Sequence, residues 1–430
     1  MPKTIIVGAG INGLLLGALL AREGDEVTVF EKSRTLGGRA FLLERGGFVV
    51  DYGIHLTRFG PKSAVAAIMK RIGHEVHFRR LGASFVHDGA EMKLFPTSPG
   101  GIFTSGLFTF AEKLRIIGLL LAIKRGRFDE LMDVSLEDWM REHGITGGIR
   151  TYFELVSASV MVCPFVEKTS AGEMFRNLRK VLVTGHSAEY PVGGWKPIHR
   201  ALVDTIKKSG AIHTGTRVES VVFSGGKAVG VKAGGKILRA DRVVVNAPVQ
   251  QAASLIPAKL LEKGYAARCR KLVPTSGVFV DAALDTVVSD LDGLIYTTKP
   301  AAYGCITSSL SPGIAPEGKQ LLTMFYPTSF EDMKDRALAA RRRKELWAAV
   351  RRVFPGIEKH VLWKRECALP MIDGVQVNVD QTEDKRPGVR VPGLEGVYLV
   401  GDSVAAPGAG GDVGNESVLI AYRAITGKDL

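Results

Sequence analysis

Cysteine is scarce, long hydrophobic runs are missing and no segment is of low complexity, and each lack excludes a class of protein. The four cysteines, Cys163, Cys269, Cys305 and Cys367, are far apart, with neither a C-x-x-C pair nor a Cys/His group at metal-ligand spacing. A disulfide scaffold and a metal centre are thereby excluded, and a reduced, metal-free, cytoplasmic protein is expected. No stretch approaches the ~20 apolar residues that cross a bilayer as a helix. The first β-branched run begins almost at Met1, leaving no charged n-region, apolar h-region and cleavage site of a signal peptide. The net charge of +13 favours anionic lipid or nucleic acid. Nucleic acid drops out as a partner because no recognition motif or basic-aromatic interleaving accompanies the charge.

At 430 residues the chain exceeds the roughly 250–300 at which one core stops growing, so two domains are expected. Its 50 glycines gather in short clusters, where backbone must approach something closely. The first cluster has a clear context. Thr4 to Val7 suits a buried parallel strand, Gly8-Ala9-Gly10-Ile11-Asn12-Gly13 follows at once, Leu14 to Arg22 reads as a helix, and Glu26 to Phe30 is a second strand ending at Glu31. This is a Rossmann-type β-α-β unit, in which Gly8 allows the tight turn, Gly10 lets backbone approach a pyrophosphate and Gly13 lets the helix pack on the sheet. Ile11 and Asn12 lie where free N–H groups at a helix start favour phosphate. Glu31, followed by Lys32, sits where a carboxylate accepts both hydroxyls of an adenosine ribose and disfavours a 2′-phosphate.

Beyond about residue 85 the pattern turns to long helical stretches, including Phe110 to Arg125 and Ser135 to His143. Glycine returns at Tyr190-Pro191-Val192-Gly193-Gly194-Trp195, followed by a helix from Pro197 to Lys208 and strand-like runs over Thr216 to Phe223, Ala228 to Ala233 and Asp241 to Asn246. The end, from Gly396 to Leu430, reads as strand, glycine loop and helix. The expected architecture is α/β. A nucleotide-binding domain is assembled from 1–85, 190–250 and 368–430, interleaved with an α+β substrate-binding domain from 86–189 and 251–367 that carries a helical insert.

The β-α-β unit alone does not separate FAD from NAD. Leu36-Gly37-Gly38-Arg39 follows Glu31, then comes Gly47-Phe48-Val49-Val50-Asp51-Tyr52-Gly53-Ile54-His55, and Val397-Tyr398-Leu399-Val400-Gly401-Asp402 stands near the end. With the Tyr190 to Gly194 segment between them, these motifs resemble the amine-oxidase-like flavoprotein superfamily and, within it, the phytoene-desaturase-like dehydrogenases. The resemblance implies a glutathione-reductase-like Rossmann fold with FAD as cofactor. It implies Gly38 and Arg39 at the pyrophosphate, Asp402 after Gly401 at a ribityl hydroxyl, and the backbone of Val218 at the adenine. Gly411, Asp412 and Val413 would bring a helix start to the flavin pyrimidine, where reduction places negative charge. Gly53, Ile54 and His55 would pass beside the isoalloxazine, with His55 the candidate acid or base.

Departures from the family narrow the reaction. Where amine oxidases carry a substrate-domain lysine, this chain reads Thr275-Ser276-Gly277-Val278-Phe279-Val280, and its terminal loop, Asp412-Val413-Gly414-Asn415, has no aromatic. The expected function is an FAD-dependent dehydrogenase or desaturase that moves a hydride between a hydrophobic, isoprenoid- or quinone-like substrate and flavin N5. A flavin-dependent isomerase, similar to carotene isomerases or UDP-galactopyranose mutase, is the second reading. An amine-oxidase-type enzyme and a lipid-escort protein resembling the GDP-dissociation inhibitors come behind it. Gly408-Ala409-Gly410 lacks a glycine at 413, so no second dinucleotide site is expected, and the electron acceptor is left open among dioxygen, a quinone and others. Leu114 to Ile123 is apolar around most of its circumference and flanked by Lys113, Arg115, Lys124, Arg125 and Arg127. It is expected either to be a core helix with solvated basic ends or to dip into the headgroups of an anionic membrane.

Overall fold

The computed structural model describes residues 1–430, the side chain of Pro99 excepted. Strand β1 (Lys3–Val7), helix α1 (Ile11–Arg22) and strand β2 (Glu26–Phe30) open the chain. Helices α2 (Phe110–Arg125), α3 (Gly147–Val160) and α4 (Ala171–Thr184) follow, then strands β3 (Ala211–His213) and β4 (Arg242–Val245). Helix α5 (Arg336–Val353), strand β5 (Val397–Leu399) and helix α6 (Gly411–Thr426) complete the elements used below.

Five strands form a parallel sheet in the order β3-β2-β1-β4-β5. Val7 stands beside Phe30 and Val245, Phe30 beside His213, and Val245 beside Leu399. The strands therefore end at one level, with Gly8, Glu31, Asn246 and the Val400–Asp402 turn just beyond it. In an open parallel sheet this carboxyl edge is where ligands bind. The central strands are covered on both faces, which is why Ile5, Ile6, Val243, Val244 and Val245 read as unbroken apolar runs without alternation. Helix α1 begins three residues earlier than the sequence suggests, directly after Gly10, and no side chain caps it. The glycine motif is itself its first turn, and the N–H groups there stay free for a ligand.

The stretch 252–367, which carries little pattern in sequence, supplies most of a second, seven-stranded sheet. Its order is Val361–Leu369, Ser276–Leu284, Gln320–Thr328, Ala301–Ile306, Ile295–Thr298, Ser84–His87 and Met92–Phe95. The pairs are antiparallel except where Ile295–Thr298 meets Ser84–His87. On one face Val278, Val280, Ala282 and Leu284 pack against Leu346 and Val350 of α5. On the other, Phe279 and Ala283 join Phe48, Tyr190, Phe325 and the inner faces of α3 and α4 in a separate core. Among the described residues no helix is long and apolar enough to cross a membrane.

Candidate functional site

The glycine turn after β1 is packed without tolerance. A Cβ on Gly8, whose φ is +99°, would lie 2.3 Å from the Asn246 carbonyl oxygen, and one on Gly13 would lie 2.4 Å from that of Gly8. Asn246 Nδ2 donates to the carbonyls of Gly8 (3.1 Å) and Gly10 (3.2 Å), fixing the turn from the end of β4. Sequence reasoning passed over Asn246, although a polar residue closing a buried valine run was a usable signal. The second glycine loop comes into contact with the first. Gly37 N–H donates to Ala9 O at 2.8 Å, and a Cβ on Gly38 would stand 3.0 Å from Gly10 Cα. Glu31 is buried and accepts from Ala9 N–H (2.9 Å) and Ser33 N–H (2.8 Å), one on each oxygen, so each keeps a lone pair for a hydroxyl donor. Lys32 beside it is exposed, and Thr216 N–H donates to Glu31 O, which sets buried Val218 alongside.

At the far end of the carboxyl edge the structure joins two residues that the sequence sent to different places. Arg39 Nη2 donates to Asp402 Oδ1 at 2.7 Å and Nη1 to Ile372 O at 2.8 Å, so the predicted pyrophosphate and ribityl ligands form one ion pair. Arg39 still keeps 37% of its side chain exposed. Gly401, at φ +132°, donates its N–H to Ser417 Oγ at 3.0 Å. Asn12 Nδ2 donates to Asn415 Oδ1 at 3.0 Å, and a Cβ on Gly414 would lie 2.4 Å from Asn12 Oδ1, so the starts of α1 and α6 converge. Gly411 is exposed, whereas Asp412 and Val413 are buried. Burial pushes the Asp412 carboxyl up to about 6, against the pull of Lys180 at 3.8 Å.

Gly53 has φ +98°, half-buried Ile54 follows, and His55 is held by its backbone, whose carbonyl accepts from Trp195 Nε1 at 2.7 Å. Burial pulls the His55 ring down to about 4, a hydrogen bond from the ring to the Gly53 backbone opposes this, and Arg39 adds to the downward pull. The ring is therefore neutral at pH 7. His199, which sequence reasoning did not single out, is likewise pulled to about 4, by burial and then by His55. Behind Gly53, Asp51 accepts from Tyr190 OH at 2.6 Å, and Arg365 reaches both Asp51 O and Asp281, which Thr323 also bonds. Strand register places Thr323, Asp281 and Arg365 in one row, a pattern that widely separated sequence positions do not display.

His55 Nδ1, Thr57 Oγ1, Arg58 Nη1, His199 Nε2 and Asp412 Oδ2 are all buried without a hydrogen-bond partner. Buried polar atoms are ordinarily paired, so such a group argues for a ligand with several polar functions. The glycine cradle, the free α1 start and the Glu31 lone pairs fit the pyrophosphate and ribose of a dinucleotide. No metal-binding group of three or more acidic, histidine or cysteine side chains occurs among the described residues.

Comparison with known proteins gives the same reading. A zeta-carotene-forming phytoene desaturase of Myxococcus xanthus is 23% identical over 491 residues, spanning 99% of this chain and 93% of that protein. The crystal structure of an oxidoreductase from Methanosarcina mazei shares the fold with a TM-score of 0.83 at 23% identity, over 99% of this chain and 100% of that one. Putrescine oxidase with bound putrescine aligns with a TM-score of 0.73 at 16% identity, over 98% of each chain. A profile of the family described as flavin containing amine oxidoreductase matches residues 11–414. The fold is the FAD-binding Rossmann type and FAD is the cofactor. The chain belongs to the flavin containing amine oxidoreductase family.

Proposed function

We propose that the protein is a dehydrogenase or desaturase of a hydrophobic, isoprenoid- or quinone-like substrate. One observation carries this reading: the strand segment from Thr275 to Val280 is buried and has no lysine or acid. The segment carries neither the lysine expected of an amine oxidase nor a charged side chain of its own, which suits an apolar chain. The name of the Myxococcus xanthus relative, a desaturase of a polyene, supports the same class.

Glu31, Lys32 and Val218 would hold the adenosine of FAD. Gly8, Gly10, Ile11, Asn12, Gly13, Gly38 and Arg39 would hold the pyrophosphate, Gly401 and Asp402 the ribityl chain, and Gly411, Asp412 and Val413 the flavin pyrimidine. Bound FAD supplies a two-electron acceptor. The chain's own contribution is a neutral His55, beside Gly53 and Ile54, able to accept a proton at Nδ1.

Helix α2 supports collection of that substrate from a membrane. Ile116 and Ile123 mark its buried pole, and the opposite pole carries Phe110 (75% exposed), Leu114 (56%) and Leu121 (48%), with Phe103 (54%) beside it. The core-helix expectation for Leu114 to Ile123 covers only one of the two apolar poles. Lys124, Arg125 and Arg127 are exposed at its end. A second copy of the same stripe would oppose like charges, whereas an anionic headgroup layer complements them.

Anaerobic titration of the FAD-loaded protein with polyenes and quinones tests the function. A substrate should bleach the flavin, and dioxygen or a quinone should restore its colour. Turnover that requires pre-reduced flavin without net electron transfer would replace this reading with the isomerase.

A further inference from the structure

Among the described residues, two that are not glycine have φ in the left-handed region, Phe59 at +63° and Val162 at +51°. Such backbone is unfavourable for any side chain and most of all for a β-branched one, and it persists only where the surroundings enforce it. Both residues bracket a single contact. Arg58, immediately before Phe59, donates Nη2 to the carbonyl of Val160, two residues before Val162. Phe59 is fully buried, with Lys180 Nζ 4.2 Å from its ring centre. Strain on both sides thus fixes one guanidinium, and the arm left over, Nη1, is buried without a partner.

This arm lies at the redox end of the site. A Cβ on Gly410, the residue before α6, would stand 3.6 Å from Arg58 Nη2 and 3.5 Å from Asp373 Oδ2. Asp412 and Asp373 act on the Arg58 charge, yet neither comes within ion-pair distance of it. The charge is balanced at a distance while the Nη1 arm stays unused. Tyr303 is buried in the same core as Val162 and Ala409, and burial, then Asp373, hold its phenol as the neutral O–H, with Arg58 acting the other way. Two donors, one cationic and already neutralised, call for an oxygen acceptor that brings little charge of its own. A hydrocarbon would leave both unpaired, and a carboxylate or phosphate would meet Asp373 and Asp412.

We propose that Arg58 Nη1 and the Tyr303 phenol form an oxygen-binding subsite of the substrate cavity, so that the substrate is an apolar molecule carrying a carbonyl or quinone oxygen. This rests on the reading of the chain as an oxidoreductase of apolar molecules.

The test uses the FAD-loaded protein with the flavin oxidised, and equilibrium binding of three probes of similar skeleton: 2-methyl-1,4-naphthoquinone, 2-methylnaphthalene and 2-naphthoate. The quinone should bind at least tenfold more tightly than either of the others. Arg58→Met should remove that advantage while FAD content and the flavin absorption maximum stay unchanged. Arg58→Lys, which keeps the charge and loses the fork, should fold and lose most of the advantage, and Tyr303→Phe should lose part of it. Equal binding of quinone and hydrocarbon, or no binding of the quinone, overturns the subsite. So does tighter binding of the naphthoate, or a shifted flavin spectrum or lost FAD in a folded Arg58→Lys protein, which would assign Arg58 to the cofactor. A wild-type protein that neither carries nor takes up FAD would instead defeat the oxidoreductase reading on which the subsite rests.

Discussion

Alanine at Gly10 and at Gly13 separates what the glycine motif does for the fold from what it does for the ligand. Both positions have ordinary negative φ, with Gly10 at −67°, so backbone strain does not enter. The difference is in space. On Gly13 the new methyl would stand 2.4 Å from Gly8 O and 2.6 Å from Asn246 Nδ2, while on Gly10 the nearest atom is Asn246 Nδ2 at 3.0 Å. Non-bonded heavy atoms rest at about 3.5–4.0 Å, so at Gly13 α1 must retreat from β1 by roughly 1 Å. Overpacking of this kind costs about 1–3 kcal/mol. Unfolding entropy of about 2.1 cal/mol/K per residue turns each kcal/mol into only roughly 1 °C of Tm in a chain this long, so urea midpoints of the apoprotein are the better assay. Gly13→Ala should lower that stability by about 1–3 kcal/mol. Gly10→Ala should leave it within about 0.5 kcal/mol, as a substitution away from packed backbone does. Its methyl instead projects where the pyrophosphate must approach, and FAD affinity, read by quenching of flavin fluorescence, should fall by more than about tenfold, or 1.4 kcal/mol. A Gly10→Ala protein that binds FAD like the wild type would refute the cradle, and an undiminished Gly13→Ala apoprotein would refute the packing argument.

Glu31→Ala should weaken FAD retention by about tenfold and leave bound FMN unaffected, because the carboxylate addresses the ribose that FMN lacks; equal effects on both flavins would place Glu31 elsewhere. His55 and His199 are both pulled to about 4, mainly by burial, so the unfolded chain takes up their protons near pH 6.5 and the folded chain only near pH 4. Their contribution to stability is complete above pH 6.5 and is lost as pH falls towards 4. His199→Gln should therefore lose less apoprotein stability than the wild type between pH 7 and 5, and an identical loss would mean the ring is already solvated. Phe110→Ser/Leu114→Ser/Leu121→Ser should abolish co-sedimentation with anionic liposomes at low salt while the far-ultraviolet circular dichroism and FAD content stay unchanged. If the wild type itself fails to sediment, α2 does not dock on membranes.

The cofactor end was legible in sequence because it is local. A tight turn, a close backbone approach and a helix start each demand glycine within six residues, and Glu31 must close the next strand, so the order of residues 4–31 carries the local part of the geometry. Helix α2 was legible for the same reason, its limits matching the periodic run from Phe110 to Arg125, although which of its apolar residues face outward was not. Tertiary structure decided what depends on distant strands. Asn246 locks Gly8 and Gly10 from more than 230 positions away, and Arg39 meets Asp402 across 363. The row of Thr323, Asp281 and Arg365 exists only through the pairing of antiparallel strands. The strained grip of Arg58 on Val160 needs the short strand Thr57–Arg58 and the end of α3 brought together. Side-chain type and short spacing are written along the chain, whereas register, burial and an unpartnered donor come into being only when strands far apart in sequence pack face to face.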